Sequence, residues 1–430
     1  MQVLANPNKG TRASEAAKML TYFTAEEIAK VVAFHSSIDG YKPTPLVVLN
    51  GQAQKLGVKA VYVKDESHRF GLNAFKALGG SFAIGKYLAH RLGKDISELS
   101  YEEMISDQTK AALGDITFIT ATDGNHGRGV AWTANKLRQK CVVHMPKGSA
   151  PERLANIQAL GAQADITDLN YDDAVRLSNE EAEKYGWALV QDTSWPGYED
   201  IPISIVQGYS TLIYEAFQEF DEQGLAWPTH VFAQAGVGAF ATAVTAGVTA
   251  AYAKRGIAAP TLVVVEPHQA ACIFDTLRAT DRRLHPVTGD MDTIMAGLAC
   301  GEPVTVGVDI LAHCVDFVVS APDYVAAQGM RALSSPPRQA VAGYGTGLGE
   351  AAASRRGDSA ADPRIISGES GAVTFGFVHE VCSDPDYAEF RTLLGIDQNS
   401  VVLCVSTEGD TDRAGYDRIV TNGAYPRPTS

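Results

Sequence analysis

Lys76 lies where a lysine side chain could act as a nucleophile. It follows the apolar pair Ala74 and Phe75 and opens a predicted helix, inside the glycine-bearing segment 67–80. Burial and the positive end of a helix would both lower the pKa of its amine, and a neutral amine is a nucleophile. A lysine with these neighbours is more often a solvated surface residue, so the rest of the sequence has to decide between the two interpretations.

The segment 120–129 forms a second candidate site, because it places a tight turn between a predicted strand and a predicted helix. Its sequence is Thr-Ala-Thr-Asp-Gly-Asn-His-Gly-Arg-Gly. The exposed N–H groups at the start of the helix could bind an anion such as a carboxylate. Asn125 could orient a ring oxygen through its amide, whereas His126 is more simply explained as a satisfied histidine at a helix start.

Two further turns follow predicted strands nearer the C-terminus. Residues 234–241 have the GxGxxA form of a dinucleotide-binding turn. That interpretation expects an acid about 20 positions on. Glu266, at the end of the next strand, lies 28 positions after Gly238. A phosphate-binding loop for a smaller cofactor fits the same backbone, and the hydroxyls of residues 401–412 could cap a turn or meet a heteroatom at the sheet edge.

The elements that must position these turns alternate between short apolar runs and helical patterns, which is typical of a parallel sheet covered by helices. Strands are predicted at 61–64, 115–120, 141–145, 163–167, 187–190, 229–234, 261–266 and 401–407. Helices are predicted at 74–92, from the 123–127 turn to 139, and at 151–160, 171–185 and 238–253. Residues 115–190 therefore form a compact βαβαβ unit.

The composition is that of an acidic globular protein. The 430 residues carry a formal charge of −14, with 45% apolar and 20% charged residues, which predicts two or three domains or one large α/β unit with a subdomain. The acidic charge argues against a nucleic-acid partner. Without a long apolar run or an apolar export segment, we expect a cytoplasmic protein with no membrane segment. Six scattered cysteines without a CxxC pair predict buried thiols and no metal site.

Together, the four turns resemble the fold type II family of pyridoxal-phosphate (PLP) enzymes and, within it, the diaminopropionate ammonia-lyases. They occur in the family's order, which is lysine, asparagine turn, phosphate turn and C-terminal hydroxyl strand. The likeness runs from about residue 15 to 420 and is carried by the stretches 64–67, 70–76, 120–129, 145–150, 294–303, 364–373 and 406–412. It implies an α/β protein of fold type II architecture, with two domains that each hold a largely parallel sheet covered by helices.

The resemblance also implies PLP as the cofactor, a small amino acid as the substrate and a homodimer as the assembly. Its cofactor contacts would be the Schiff-base lysine Lys76, Asn125 at the phenolic oxygen, the phosphate-binding residues Gly236, Val237, Gly238 and Ala239, and Ser406 or Thr407 at the pyridine nitrogen. A neutral hydroxyl there leaves the pyridine nitrogen largely unprotonated, which favours β-elimination.

Two acids complete the implied site. The resemblance implies that Asp123 takes the α-proton of D-2,3-diaminopropionate and that Asp192 takes that of the L-isomer, so each base lies on the face that bears the proton. The products would be pyruvate and two ammonia. The residues predicted to bind substrate are Thr122, Asp123, Gly124 and His126. Asp192 could alternatively be a turn-capping aspartate.

The family pattern implies a large PLP-binding domain, 1–76 and 196–430, and a small domain, 77–195, with the cofactor in the cleft between them. Residues 334–362 depart from that pattern, and their Gly, Ala, Ser and Arg content predicts a mobile surface insertion. Cys272 and Cys300 match cysteine positions of the family and could approach each other near the pocket mouth.

Other functions remain open at this point. The alternatives within the fold are a serine or threonine dehydratase, a β-replacing synthase and a catalytically silent binding protein. An NAD enzyme built on the GxGxxA turn is a weaker alternative.

Overall fold

The computed structural model describes residues 1–335 and 361–428, so nearly all of the predicted insertion at 334–362 lies outside the described residues. The strands are β1 (Gln2–Ala5), β2 (Leu46–Val48), β3 (Ala60–Asp65), β4 (Thr117–Ala121), β5 (Lys140–Met145), β6 (Gln163–Ile166), β7 (Ala188–Leu189), β8 (His230–Gln234), β9 (Thr261–Pro267), β10 (Phe317–Ala321) and β11 (Val401–Ser406).

The helices surround these strands. They are α1 (Ala13–Leu20), α2 (Ala25–Ser37), α3 (Asn50–Leu56), α4 (Ala77–Arg91), α5 (Tyr101–Met104), α6 (Asp107–Leu113), α7 (Asn125–Lys136), α8 (Pro151–Gln158), α9 (Tyr171–Tyr185), α10 (Asp200–Glu222), α11 (Ala239–Arg255), α12 (Cys272–Arg278), α13 (Val308–Cys314), α14 (Asp323–Ser334), α15 (Glu369–Ser383), α16 (Ala388–Leu394) and α17 (Arg413–Val420). Within the described ranges, none of them combines the length and apolar content needed to cross a membrane.

The strands form two sheets. The larger has the order β1-β10-β9-β8-β11-β3-β2 and the smaller the order β6-β5-β4-β7. Only the edge strands β1 and β2 run antiparallel to their neighbours among the described residues, whereas the remaining pairs are parallel. The predicted α/β fold with largely parallel sheets is therefore confirmed, and the turns after the parallel strands gather at the carboxyl edges of the sheets.

The eight strands predicted from sequence are all present, with ends that differ by at most two residues. The patterns did not identify β1, β2 and β10, of which β1 and β2 are short edge strands. They also left α10, the longest helix in the described part of the chain, unassigned. Pro202 stands in its first turn, where a proline interrupts no helical hydrogen bond.

Successive residues of the central strands enter different cores, as expected for a sheet covered on both faces. In β11, Val401, Leu403 and Val405 pack into one core, while Val402 and Cys404 pack into the other. This is why the strand reads as a continuous apolar run in the sequence.

Helices α4 and α10 approach closely through two glycines. A Cβ atom at Gly79 would lie 2.5 Å from Cε1 of Tyr209, and one at Gly208 would overlap the carbonyl oxygen of Leu78. Only glycine allows this crossing, so it fixes the start of α4, and with it Lys76, against α10.

A buried ion cluster anchors the segment that leads into Lys76. Arg69 is 1% exposed, and its two terminal nitrogens each lie 2.7 Å from a carboxylate oxygen of Glu215 on α10. Its Nε donates to Glu66 at 2.9 Å, and Lys64 lies 2.9 Å from Glu215. Burial raises the pKa of Glu215, but Arg69 and Lys64 outweigh it and lower that pKa to about 2. The cluster is fully paired, as buried charges must be.

Candidate active site

A cavity of about 770 Å³ lies at the carboxyl ends of β3, β4, β7, β8 and β11. Lys76, Asp123, Asp192, Gly238 and Thr407 all line it. The structure thus brings together all four glycine or hydroxyl turns that the sequence singled out, although they come from two different sheets.

Lys76 forms a close ion pair with Asp192. Its Nζ lies 2.5 Å from Oδ2 of Asp192, and the two side chains are 16% and 4% exposed. Nζ also lies 5.9 Å from the ring centre of Tyr209. Burial acts to lower the pKa of Lys76, but the Asp192 carboxylate outweighs it and raises that pKa. The predicted lowering of the pKa of the Lys76 amine is therefore wrong. The prediction could not include Asp192, because no local sequence motif shows that this carboxylate lies beside the amine.

Asp192 contacts side chains through both carboxylate oxygens. Its Oδ1 accepts hydrogen bonds from the hydroxyl of Tyr171 at 3.3 Å and from the amide of Gln191 at 3.4 Å. Burial acts to raise the pKa of Asp192, but the ammonium of Lys76 outweighs it and holds that pKa well below its usual value. The carboxylate is therefore ionised and lies next to the amine.

Asp123 has a different cationic partner, which the sequence analysis did not identify. Its Oδ2 lies 3.1 Å from Nη1 of Arg153, the third residue of α8. Arg153 is 7% exposed. Burial acts to lower the pKa of Arg153, but Asp123, Glu408 and Glu369 raise it. The two candidate bases of the cavity are thus each paired with a cation of their own.

The other residues predicted to bind substrate divide into two groups. Thr122 and His126 line the cavity, whereas Gly124 is not among the lining residues and lies under Arg153. The hydroxyl of Thr122 accepts hydrogen bonds from the N–H groups of Gly124 and Gly127 at 2.9 and 3.0 Å, which holds the turn.

His126 is held through one of its ring nitrogens. Its Nε2 lies 2.8 Å from the carbonyl oxygen of Val190 and must carry the proton, while its buried Nδ1 has no partner in the described part of the chain. Burial lowers the pKa of His126, so the ring is neutral.

The turn between β8 and α11 brings Gly236, Val237, Gly238 and Ala239 to the cavity, at the N-terminus of a 17-residue helix. Gly238 has a φ of +100°, and a Cβ atom there would lie 2.9 Å from Cδ1 of Ile273. A glycine turn at a helix N-terminus is a phosphate-binding arrangement.

The acid required by the dinucleotide alternative is already engaged. Both carboxylate oxygens of Glu266 accept backbone N–H groups at the start of α12, from Ile273 at 2.8 Å and Phe274 at 2.6 Å. Because Glu266 is buried in this cap, it is not available to a nucleotide ribose.

Asn125 begins α7, and its amide nitrogen donates a hydrogen bond to Glu408, which follows β11. Glu408 is 2% exposed and also accepts the backbone N–H of Ser370 at 3.1 Å. Burial, with the nearby Glu408, raises the pKa of Glu369 to about 7. Both glutamates line the cavity.

Ser406 and Thr407 occupy different surroundings. Thr407 lines the cavity, and its hydroxyl oxygen accepts a hydrogen bond from the amide of Gln234 at 3.1 Å, which leaves its own proton for a further acceptor. Ser406 is not among the lining residues and donates to the hydroxyl of Ser367 at 2.8 Å.

Cys272 and Cys300 are buried free thiols on either side of Gly236. The thiol of Cys272 lies 3.5 Å from the Gly236 carbonyl oxygen, and a Cβ atom at Gly236 would lie 3.3 Å from Sγ of Cys300. Burial raises the pKa of both thiols well above the usual value. Both thiols therefore lie close to Gly236, and they are not bonded to each other.

The site contains functional candidates that the sequence analysis did not find. These are Arg153, Tyr171, Tyr209, Gln234, Glu369 and Glu408. Glu369 and Glu408 stand inside stretches that carry the family resemblance, so that signal was available. Arg153 lies three residues beyond such a stretch, and no motif marks it.

Comparison with known proteins places the chain among PLP enzymes. A family model described as "Pyridoxal-phosphate dependent enzyme" matches residues 38–370. The diaminopropionate ammonia-lyase of Salmonella typhimurium is 47% identical over 394 residues, which cover 92% of this chain and 92% of that protein.

Solved structures agree over the whole fold. The selenomethionine holo form of diaminopropionate ammonia-lyase from Escherichia coli matches with a TM-score of 0.85 and 42% identity, covering 100% of this chain and 98% of that one. The same enzyme in complex with an aminoacrylate-PLP azomethine reaction intermediate matches with a TM-score of 0.82 and 41% identity, covering 99% and 98%.

Proposed function

Because the chain belongs to the pyridoxal-phosphate dependent enzymes and, among them, to the diaminopropionate ammonia-lyases, we propose that it eliminates ammonia from D- and L-2,3-diaminopropionate. Elimination releases the first ammonia and aminoacrylate, which reacts with one water to give pyruvate and the second ammonia. The observation that supports this most directly is the buried Lys76–Asp192 pair, in a cavity that also contains Asp123 and a glycine turn.

PLP is the cofactor, and the cavity residues fit it. The turn 236–239 offers a helix N-terminus to the phosphate, Lys76 offers an amine, and Asn125 offers an amide to the phenolic oxygen. When bound, PLP draws electrons from the α-carbon of the attached amino acid and makes its α-proton acidic. Of the two candidate hydroxyls, Thr407 is the proposed partner of the pyridine nitrogen, because it lines the cavity and its proton is free.

Lys76 and Asp192 exchange a proton in this proposal. The ammonium of Lys76 must lose a proton before Nζ can act as a nucleophile, and Oδ2 of Asp192, 2.5 Å away, accepts it. After Asp192 has released that proton to solvent, its carboxylate can take the α-proton of the L-isomer.

Asp123 serves the D-isomer. Its carboxylate lies in the same cavity but is directed by Arg153 and not by Lys76. With Glu369 and Glu408, the cavity presents carboxylates to a substrate that carries two ammonium groups. An acid of this group that holds a proton can deliver it to the departing amine.

The first experiment tests the cofactor site. We expect the purified protein to absorb visible light through lysine-bound PLP and Lys76→Ala to lose that absorbance. Lys86→Ala is the control. Lys86 lies in α4, is not among the residues that line the cavity and donates a hydrogen bond to Gln207, so its replacement should leave the chromophore intact. Retention of the lysine-bound spectrum in Lys76→Ala would remove the basis of the assignment.

A second experiment tests the division of labour. In Asp123→Asn, the turnover of D-diaminopropionate should fall by at least about 100-fold, the lower end of what a general base contributes. The turnover of the L-isomer should fall less. Asp192→Asn should show the opposite preference. Equal losses on both isomers in Asp123→Asn would contradict the assignment, and serine as a much better substrate than diaminopropionate would point to a dehydratase.

We also propose that the two sheets belong to a large domain, 1–76 and 196–430, and a small domain, 77–195. The strands of the four-stranded sheet all lie between Thr117 and Leu189, which supports these boundaries. The relatives are bacterial ammonia-lyases, which supports action in the cytoplasm, and the family supports a homodimer.

A further inference from the structure

We infer that Arg153 is a positioning residue that directs Asp123 towards the substrate, and that it determines how well the D-isomer is used relative to the L-isomer. The inference rests on the proposed roles of Asp123 and Asp192, and it adds a residue that neither the sequence motifs nor those roles include.

Arg153 holds the Asp123 turn by two kinds of contact. Its Nη1 lies 3.1 Å from Oδ2 of Asp123 and 3.4 Å from the carbonyl oxygen of the same residue. Its aliphatic stem covers Gly124, where a Cβ atom would lie 2.8 Å from Cδ of Arg153. One side chain therefore fixes both the carboxylate and the backbone of the turn, which a planar guanidinium does better than an ammonium.

Arg153 also connects the turn to the other side of the cavity. Its Nη2 lies 3.4 Å from the hydroxyl of Thr411, which follows β11 of the seven-stranded sheet. The neighbouring residue Glu152 accepts the backbone N–H of Arg413 at 3.4 Å. Arg153 and its neighbour thus tie the Asp123 turn to the segment that follows β11 of the other sheet. The Nε atom of Arg153 is buried with no partner among the described residues.

Asp192 does not depend on this contact. It is held by Lys76 at 2.5 Å and by the hydroxyl of Tyr171 at 3.3 Å, and no hydrogen bond or ion pair in the described residues joins it to Arg153. A change at Arg153 should therefore affect one base and spare the other, since a displacement of about 1 Å at a reacting group can cost on the order of 100-fold in rate.

The experiment measures kcat for the D- and L-isomers on the same preparation of holoenzyme, so the fraction of folded protein cancels in their ratio. In Arg153→Met, we expect the D-to-L ratio to fall by about 30-fold to 100-fold, mainly through kcat for the D-isomer. Arg153→Lys keeps the positive charge but not the planar guanidinium, so its D-to-L ratio should lie between those of Arg153→Met and the parent protein. Tyr171→Phe is the matched control at the other base, and it should lower L-turnover and raise the ratio.

The outcomes separate this inference from the proposed function. If Asp123→Asn lowers the D-to-L ratio but Arg153→Met and Arg153→Lys leave it at the parent value, Arg153 is not a positioning residue. If Asp123→Asn itself leaves the ratio unchanged, the assignment of Asp123 to the D-isomer fails first. Should Arg153→Met not fold, the ratio in Arg153→Lys decides, and a ratio equal to that of the parent overturns the inference. In the double variant with Asp123→Asn, Arg153→Met should cause little further loss of the ratio.

Discussion

Replacing Gly238 with alanine should weaken PLP binding without damaging the rest of the fold. Gly238 has a φ of +100°, and a non-glycine residue in the left-handed region costs about 1–2 kcal/mol. The added Cβ atom would meet Cδ1 of Ile273 at 2.9 Å, but that atom ends a flexible side chain and can move. In the apoprotein the turn can rotate to relieve the strain, whereas phosphate binding requires the original turn. The cost therefore returns as a loss of affinity of about 5-fold to 30-fold.

The assay is titration of the apoprotein with PLP, followed by visible absorbance and by equilibrium dialysis. Gly256→Ala is the matched control, because Gly256 ends the same helix with a φ of +68°, and a Cβ atom added there would meet no neighbour within 4 Å among the described residues. As an apoprotein, Gly238→Ala should lose no more thermal stability than Gly256→Ala, because its turn can rotate, and only Gly238→Ala should show a higher Kd for PLP. An unchanged Kd in Gly238→Ala would refute the placement of the phosphate at this turn.

Three further predictions concern other residues of the site and its support. Thr407→Val should shift the visible spectrum of the holoenzyme and weaken PLP binding, whereas Ser406→Ala should change neither; a shift in Ser406→Ala alone would assign the pyridine contact to Ser406. Glu215→Gln should lower the free energy of unfolding, measured in urea, by about 3–5 kcal/mol because it leaves buried cations underpaired. The exposed Glu222→Gln should change it by less than about 0.5 kcal/mol, and equal effects would contradict the argument. Burial, with Glu408, raises the pKa of Glu369 to about 7, so its neutral form favours the folded state below pH 4.5 and that stability is lost as the pH rises through 7. The thermal midpoint should therefore fall between pH 4.5 and 7, and Glu369→Gln should remove this part of the fall. An unchanged dependence of the midpoint on pH in Glu369→Gln would contradict the argument.

Most inner strands of the fold could be predicted because they are buried on both faces, although the equally buried β10 was missed. Strands such as β8 and β11 then appear as apolar runs, and the turns after them contain the glycines and hydroxyls. Edge strands leave a weaker signal, since β1 and β2 have only four and three residues and bury few of them. The pairing order was also beyond the sequence, because β3 and β11 are neighbours although more than 300 residues separate them.

Separation along the chain also limits what the sequence says about the site. Lys76, the asparagine turn and the phosphate turn could be found because each has a local motif. The contacts that set their chemistry could not, since Asp192 joins Lys76 across 116 positions and Glu408 joins Asn125 across 283. The error in the pKa of Lys76 has this origin. Burial was anticipated, but the carboxylate that outweighs it was not.

The two candidate bases differ in one respect that their sequence contexts do not reveal. Asp123 is paired with Arg153, a guanidinium that cannot give up its proton under ordinary conditions. Asp192 is paired with Lys76, whose ammonium must lose a proton before the amine can react. Asp192 is therefore available as a base only after its partner has changed its charge or moved away, whereas Asp123 keeps its partner throughout. It follows that a substitution at Tyr209, the aromatic neighbour of Lys76, should disturb L-turnover more than D-turnover, while the pairing of Asp123 stays intact.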